Sequence, residues 1–170
     1  MASTYVWLPL NINTGTNTVT MKNFVSWIPN SAPFSSWSNP TAENSYEAER
    51  ASYGGKARNI DCSKCSNQVA AGYIGGPDRG SVTFSGIKSD IDGVTTIRIK
   101  FLNGDSSPRY ANVRVNGDAG RKVAFLQATG DPASSTLHAR LNRGESNTIT
   151  IEGVGTGWGP DIDRLMVPVQ

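Results

Sequence analysis

The chain has 170 residues and a formal net charge of +2, which is enough length for one domain with a full core and too little charge to indicate a nucleic-acid partner. It contains no run of about 18 apolar residues, so the sequence predicts no membrane-spanning segment. Its 18 glycines and 9 prolines favour short strands joined by turns.

Residues 1–45 differ in composition from the rest and are predicted to form an N-terminal segment or linker that packs on the main domain or on a neighbour. Two short strands are predicted at 5–10 and 18–22, and residues 30–44 are rich in Ser, Pro and Asn. A disordered tail rarely carries many aromatic residues, yet three of the four tryptophans lie here: Trp7, Trp27 and Trp37. The first residues lack the basic and apolar regions of a signal peptide, as expected of an intracellular or a processed protein.

Residues 46–170 carry repeated strand patterns and are predicted to form the main domain. Apolar and polar residues alternate in four stretches: 97–101, 112–115, 136–141 and 148–152. Asn116-Gly117 is a strong hairpin-turn signal, and no segment has the 3.6-residue period of a helix. The pattern predicts an all-β fold, an antiparallel β-sandwich.

The two cysteines, Cys62 and Cys65, form a Cys-X-X-Cys pair. A redox centre would need a helix starting at the first cysteine, whereas residues 69–74 have the pattern of a strand. A structural zinc site would need four Cys or His ligands, and the chain has two cysteines and one histidine. A local disulfide is therefore favoured, and it indicates an oxidising, extracellular setting.

Two carboxylates, Asp161 and Asp163, lie on the predicted last strand. Because side chains alternate between the faces of a strand, both are expected on the same face as Leu165 and Val167. If that face is the core, Asp163 is a buried charge that needs a cation or strong hydrogen-bond donors.

Glu47 and Glu49 share one face of the first predicted strand of the domain. If that strand pairs near the last one, these two residues converge with Asp163, and three oxygen ligands of this kind suit Ca²⁺. The alternative is that the carboxylates form salt bridges with Arg50 and Arg164 on a solvated face.

Trp158 lies in a loop of alternating glycines, which has no bulky neighbours to bury an indole, so we expect it to be exposed. An exposed aromatic ring beside polar groups is typical of a sugar site, because the ring packs on the apolar face of a pyranose while side chains bind its hydroxyls. The candidate sugar-binding residues share positions in predicted loops or strand ends: Tyr53, Asp78, Arg79, Asn103, Trp158 and Asp161.

Two other classes of function remain open. A small glycosidase or lyase would use a pair of carboxylates, either Asp161 with Asp163 or Glu47 with Glu49. A protein-interaction β-sandwich would bind no sugar. Nucleophilic catalysis is not favoured, because His138 is the only histidine and is predicted to face outward on a strand.

Six short motifs in the chain resemble, in order and spacing, those of carbohydrate-binding module family 35, which is related to family 6. They are residues 46–49 (YEAE), 62–66 (CSKCS), 72–76 (GYIGG), 113–117 (VRVNG), 141–149 (LNRGESNTI) and 159–163 (GPDID).

The resemblance implies a jelly-roll sandwich over residues 46–170 with a structural Ca²⁺ held by Glu47, Glu49 and Asp163. It also implies a sugar site in the loops at one end, with Trp158 in the loop before the last strand. Asp161 occupies a position where relatives often carry Asn, so the preferred sugar is left open.

Residues 5–10 (YVWLPL) resemble the end of a glycoside hydrolase family 43 catalytic domain of the galactan 1,3-β-galactosidase type. This resemblance implies that the chain is the C-terminal part of a secreted enzyme whose catalytic residues lie upstream. We therefore expect a non-catalytic, monomeric, extracellular module that binds galactose units of β-1,3-galactan or arabinogalactan, and no nucleic acid or membrane partner.

Overall fold

The structure, a computed structural model, describes residues 10–21, 28–29, 37–38 and 42–169. The chain divides into two compact units, Met1–Thr41 and Ala42–Gln170. Among the described residues, no helix is long and apolar enough to cross a membrane.

The described part of the first unit consists of two pairs of short antiparallel strands. The strands are β1 (Leu10–Asn13) with β2 (Thr18–Met21), and β3 (Ile28–Pro29) with β4 (Trp37–Ser38). The Asn13 side chain closes the first hairpin by accepting hydrogen bonds from the backbone N–H groups of Gly15 and Thr16 at 3.0 and 3.2 Å. The strand predicted at 18–22 is thus present as β2. Most of the strand predicted at 5–10, together with Trp7 and Trp27, lies outside the described residues.

The second unit is an antiparallel β-sandwich, as the sequence predicts. The six strands of the first sheet are β5 (Glu43–Glu47), β7 (Arg58–Asp61), β8 (Val69–Gly72), β10 (Gly93–Asn103), β13 (Ala128–Leu141) and β15 (Asp161–Pro168). The five strands of the second are β6 (Ser52–Gly54), β9 (Ser81–Ser89), β11 (Arg109–Val115), β12 (Arg121–Phe125) and β14 (Gly144–Gly153). The first sheet has the order β13-β10-β15-β8-β7 with β5 also paired to β15, and the second has the order β12-β11-β14-β9-β6.

Alternating apolar residues of both sheets fill the space between them. On β10, Ile97, Ile99 and Phe101 are buried, and Phe101 packs edge-to-face on Phe125 of the opposite sheet with ring centroids 4.9 Å apart. Full burial of each such side chain contributes about 1.5–3 kcal/mol to folding. The predicted Asn116-Gly117 turn joins β11 to β12, and both of its residues have positive φ, 51° and 77°.

The last strand, β15, departs from simple alternation at Asp163. Two successive residues of β10 pair with Arg164 and Ile162, which leaves Asp163 as an extra, bulged residue. Because a bulge moves the alternation by one residue, Ile162 and Asp163 are both buried, whereas Asp161 is half-buried at the start of the strand. The prediction that Asp161 and Asp163 lie on one face is therefore wrong.

Candidate functional site

Two glycine-rich loops of the second unit are hydrogen-bonded to each other and together hold Trp158. The Gly76 N–H donates to the Gly157 carbonyl at 3.0 Å, and the Gly159 N–H donates to the Ile74 carbonyl at 2.8 Å. The glycines permit this close approach, because a Cβ on Gly76 would lie 2.5 Å from the Trp158 ring. The loop pair therefore fixes the orientation of the indole.

The Trp158 side chain lies beside Gly76 and remains 46% exposed, in agreement with the exposure predicted for it. Tyr73, from the other loop, meets the indole edge-on with ring centroids 6.1 Å apart. The guanidinium of Arg58 lies 3.7 Å from the centre of the Tyr73 ring. This cation–π contact covers one face of the Tyr73 ring, and Tyr73 remains 43% exposed.

Trp158 and Asp161 line a common cleft of about 470 Å³. The residues around it combine aromatic, apolar and charged groups: Ile60, Tyr73, Arg109, Trp158, Gly159 and Asp161. Arg109 is held in place by two hydrogen bonds, from Nε to Asp105 at 2.7 Å and from Nη1 to the Gly159 carbonyl at 3.1 Å. The cleft thus has one aromatic wall and two charged groups, the mixture typical of a small polar ligand site.

Asp161 contributes a carboxylate that no described residue contacts by a hydrogen bond or an ion pair. The pKa of Asp161 is raised. Burial is the largest cause, the positive charge of Arg109 opposes it, and the negative charge of Asp105 adds to it. A half-buried carboxylate without protein donors is available to accept hydrogen bonds from a ligand.

Of the other predicted sugar-binding residues, Asn103 is buried, and its side chain is hydrogen-bonded within the protein. Its Nδ2 donates to the carbonyls of Ser107 and Phe125, and its Oδ1 accepts from the Asp105 N–H, all at 3.0 Å. Asn103 therefore braces the loop that carries Asp105, and through Asp105 it positions Arg109. It does not line the cleft.

Three further predicted residues also lie outside the Trp158 cleft. Asp78 pairs with Lys56 at 3.3 Å, and Arg79 lines a separate cleft of about 520 Å³. The Tyr53 hydroxyl donates to the Ala48 carbonyl at 2.8 Å and contacts Asn59. The structure thus brings together Trp158 and Asp161 from the predicted set.

Tyr73 and Arg109 line the cleft and were not among the predicted residues. Tyr73 lies in the glycine-rich stretch 72–76, whose glycines are a signal for a tightly packed loop. Arg109 begins β11, and its sequence neighbours carry no comparable signal, because its role depends on distant Gly159.

A second polar cluster joins the first and last strands of the module. Glu47 on β5, Glu49 in the 3₁₀ turn Ala48–Arg50 and Asp163 on β15 all contact one short turn, Ser66–Gln68. The Ser66 N–H and hydroxyl donate to Asp163 Oδ1 at 2.9 and 2.6 Å, and the hydroxyl also contacts Glu47. Asn67 Nδ2 donates to Glu49 at 2.7 Å.

The disulfide predicted from the Cys-X-X-Cys pair is present between Cys62 and Cys65, with sulfur atoms 2.02 Å apart. It immediately precedes the turn at Ser66 and Asn67. The covalent loop therefore helps to hold the two donor residues over the three carboxylates.

The cluster has features of a cation site and also contacts of the alternative salt bridge. Glu49 Oε2 and Asp163 Oδ2 are buried oxygens without a hydrogen-bond partner, which leaves hard oxygen ligands unsatisfied. Arg164 lies 3.6 Å from Asp163 and 3.9 Å from Glu47. Among the described residues, no group of three or more His, Cys, Asp or Glu side chains lies close enough together to hold a metal ion. The oxygen donors are of the kind that Ca²⁺ takes, and the side chains would have to move to surround an ion.

Residues 81–167 match a protein-family model described as "CBM13-like: Alpha-galactosidase, CBM13 domain", a match that covers just over half of the 170 residues. The chain belongs to this family. No curated protein matches its sequence. Although the family's name refers to family 13, the two-sheet sandwich found here is that of family 35 modules.

Solved structures similar to the chain support this fold. A family 35 carbohydrate-binding module from Clostridium thermocellum has 25% identity and a TM-score of 0.68, over 74% of this chain and 98% of that one. The family 35 module from Paenibacillus barcinonensis, at 20% identity and a TM-score of 0.62 over 75% of this chain and 99% of that one, shows the same fold. The resemblance to family 35 predicted from the sequence is confirmed, and the second unit is a carbohydrate-binding module.

An exo-β-1,3-galactanase from Phanerochaete chrysosporium, solved with galactose, is also similar, with 29% identity and a TM-score of 0.78. The match covers 96% of this chain but 37% of the galactanase. The match to the galactanase covers more of this chain than the matches to the isolated modules do. This difference confirms the predicted resemblance of the N-terminal segment to such an enzyme. The chain spans just over a third of that relative's length.

Proposed function

We propose that the Trp158 cleft binds galactose units of β-1,3-galactan or related arabinogalactan side chains, and that the chain carries no catalytic step of its own. The observation that carries the proposal is the half-exposed Trp158, held beside Gly76, in the same cleft as the unpaired carboxylate of Asp161. The similarity to a galactanase solved with galactose supports the choice of sugar.

The cleft offers the two kinds of contact that a pyranose needs. The Trp158 indole would pack on the C–H face of the sugar, which in galactose is continuous because the axial hydroxyl projects from the opposite face. Asp161 would accept hydrogen bonds from two neighbouring hydroxyls, and Arg109 would donate to a ring or hydroxyl oxygen. One sugar buries little area, so we expect a Kd on the order of micromolar to millimolar.

In a longer secreted protein, such a module would hold a glycoside hydrolase domain close to its polysaccharide substrate. Tethering makes the encounter of the enzyme with the polysaccharide intramolecular and so raises the effective substrate concentration. The carboxylates proposed for a glycosidase have separate environments here, because Asp163 is held by Ser66 in the buried cluster while Asp161 lines the cleft. The binding role therefore has the stronger support.

We further propose that Ca²⁺ binds at the cluster of Glu47, Glu49 and Asp163. The two unsatisfied buried oxygens support this assignment. A bound Ca²⁺ would offset two of the three negative charges of these carboxylates and tie β5 to β15.

Isothermal titration calorimetry with galactose and β-1,3-galactobiose, and with glucose for comparison, tests the sugar site. Trp158→Ala should weaken galactose binding at least about tenfold, because the stacking surface is lost. Tyr110→Ala is a matched control, since Tyr110 is 40% exposed and does not line the cleft. Equal galactose affinities in the wild type and Trp158→Ala would refute the proposal.

A further inference from the structure

The charged groups around the Trp158 cleft differ in whether they already interact with other groups of the protein. Arg109 is engaged by Asp105 and by the Gly159 carbonyl, and Arg58 lies over the Tyr73 ring. Asp161, by contrast, has no hydrogen bond and no ion pair with any described residue, although it lines the cleft. Of the charged residues that line the cleft, Asp161 is therefore the one whose hydrogen-bonding atoms are all left to a ligand.

An ionised carboxylate can only accept hydrogen bonds. Ligand groups opposite Asp161 must therefore be donors, and the hydroxyls of a neutral sugar meet this requirement. A sugar carboxylate in the same cleft would face a like charge in a half-buried environment, where solvent screens repulsion less than in bulk water. Asp105, in contact with Arg109 at 2.7 Å, offsets the nearest positive charge that could attract such a ligand.

We infer that Asp161 makes the cleft selective for neutral sugars over uronic acids. This inference rests on the proposed function, because it requires that the sugar binds beside Trp158. It goes beyond that function by naming the class of sugar that the site rejects and the side chain that rejects it.

Asp161 is suited to this role because its oxygens accept no hydrogen bond from any described residue, although the positive charge of Arg109 acts on it. A residue kept only to stabilise the strand end would be expected to accept hydrogen bonds from the protein, as Asp163 does from Ser66 at 2.6 and 2.9 Å. Replacement of Asp161 by Asn keeps the size of the side chain and removes its charge. The variant therefore separates charge from shape.

The experiment compares three ligands that share one ring: galactose, galacturonic acid at neutral pH, and the uncharged methyl ester of galacturonic acid. Calorimetry of the wild-type chain should give similar affinities for galactose and the ester, and an affinity for galacturonate at least about tenfold lower. In Asp161→Asn, the affinity for galacturonate should rise about fivefold or more relative to the ester. Glu145→Gln, which removes an exposed carboxylate outside the cleft, should leave both ratios unchanged.

The outcomes distinguish this inference from the function on which it rests. If the wild type binds galacturonate as tightly as the ester, while Trp158→Ala still weakens galactose binding at least about tenfold, selectivity by Asp161 is overturned and the sugar site stands. If none of the three sugars binds, the proposed function falls and this inference falls with it. The wild-type comparison alone decides the point even if Asp161→Asn does not fold.

Discussion

Gly76 is the residue whose missing side chain makes room for the Trp158 indole, the ring proposed to bind the sugar. Its φ is +67°, and a Cβ built on it would lie 2.5 Å from Trp158. Gly76→Ala should therefore displace the indole and weaken galactose binding about tenfold or more. It should also lower stability by about 1 kcal/mol, because an L side chain is strained at positive φ.

Gly117→Ala is the matched control for this prediction. Gly117 has a similar φ of +77°, but a Cβ there would meet nothing within 4 Å. Urea unfolding should show a comparable loss of stability in the two variants, whereas calorimetry should show reduced sugar binding in Gly76→Ala alone. Unchanged binding in Gly76→Ala would contradict the role assigned to the glycine.

Asp163 is the residue on which the proposed Ca²⁺ site depends most, because it is completely buried and one of its oxygens has no hydrogen-bond partner. A cation that binds the folded state alone stabilises it by about 2.7 kcal/mol when present at a hundredfold excess over its Kd. EDTA should therefore lower the Tm of the wild type, and added Ca²⁺ should restore it.

Asp163→Asn should abolish this response to EDTA and Ca²⁺. Glu152→Gln serves as its control, since Glu152 pairs with Arg114 on the other sheet and its loss should leave the response intact. A wild-type Tm that does not change with EDTA, together with no calcium by elemental analysis, would exclude the site.

At the scale of elements, the disulfide loop and the bulge in β15 together build the carboxylate cluster. The bulge places Asp163 inward, and the turn that follows Cys62–Cys65 supplies the donors of Ser66 and Asn67. A Cys62→Ser/Cys65→Ser variant should lose about 2 kcal/mol of stability, because the donors are then held less firmly and the unfolded chain is less constrained. Urea unfolding measures the loss, and a variant as stable as the wild type would show that the loop does not brace the cluster.

The limits of the sequence as a guide are clearest on β15. Alternation within a strand is a local pattern, so the buried residues of β10 could be assigned from their order along the chain. The bulge at Asp163 arises from pairing with β10, some 60 residues away along the chain, and the local order of residues gives no sign of it.

The exposure of Trp158 could be predicted because its glycine neighbours indicate an open loop. Asn103 is predicted to bind sugar, but its side chain donates to the carbonyls of Ser107 and Phe125, and the sequence does not indicate these partners because their positions depend on tertiary contacts.

At the scale of the whole molecule, every residue assigned to sugar or cation binding lies in the unit Ala42–Gln170. Among the described residues, the buried core of that unit runs from Ala48 to Val167 and consists of residues on its strands and turns. We therefore propose that residues 42–170 form an independent domain and that the chain preceding them is not needed for binding.

A shortened protein of residues 42–170 should unfold cooperatively and bind galactose with the affinity of the full chain, within about threefold. Its Tm should also respond to Ca²⁺ in the same direction, because all three carboxylates and their donors are retained. Calorimetry and thermal unfolding of the two proteins side by side make the comparison, with Trp158→Ala in the shortened form to verify that the same cleft is measured. A galactose affinity reduced well beyond threefold in a folded 42–170 protein would mean that residues 1–41 contribute to the sugar site, and the boundary between binding module and N-terminal segment would have to be redrawn.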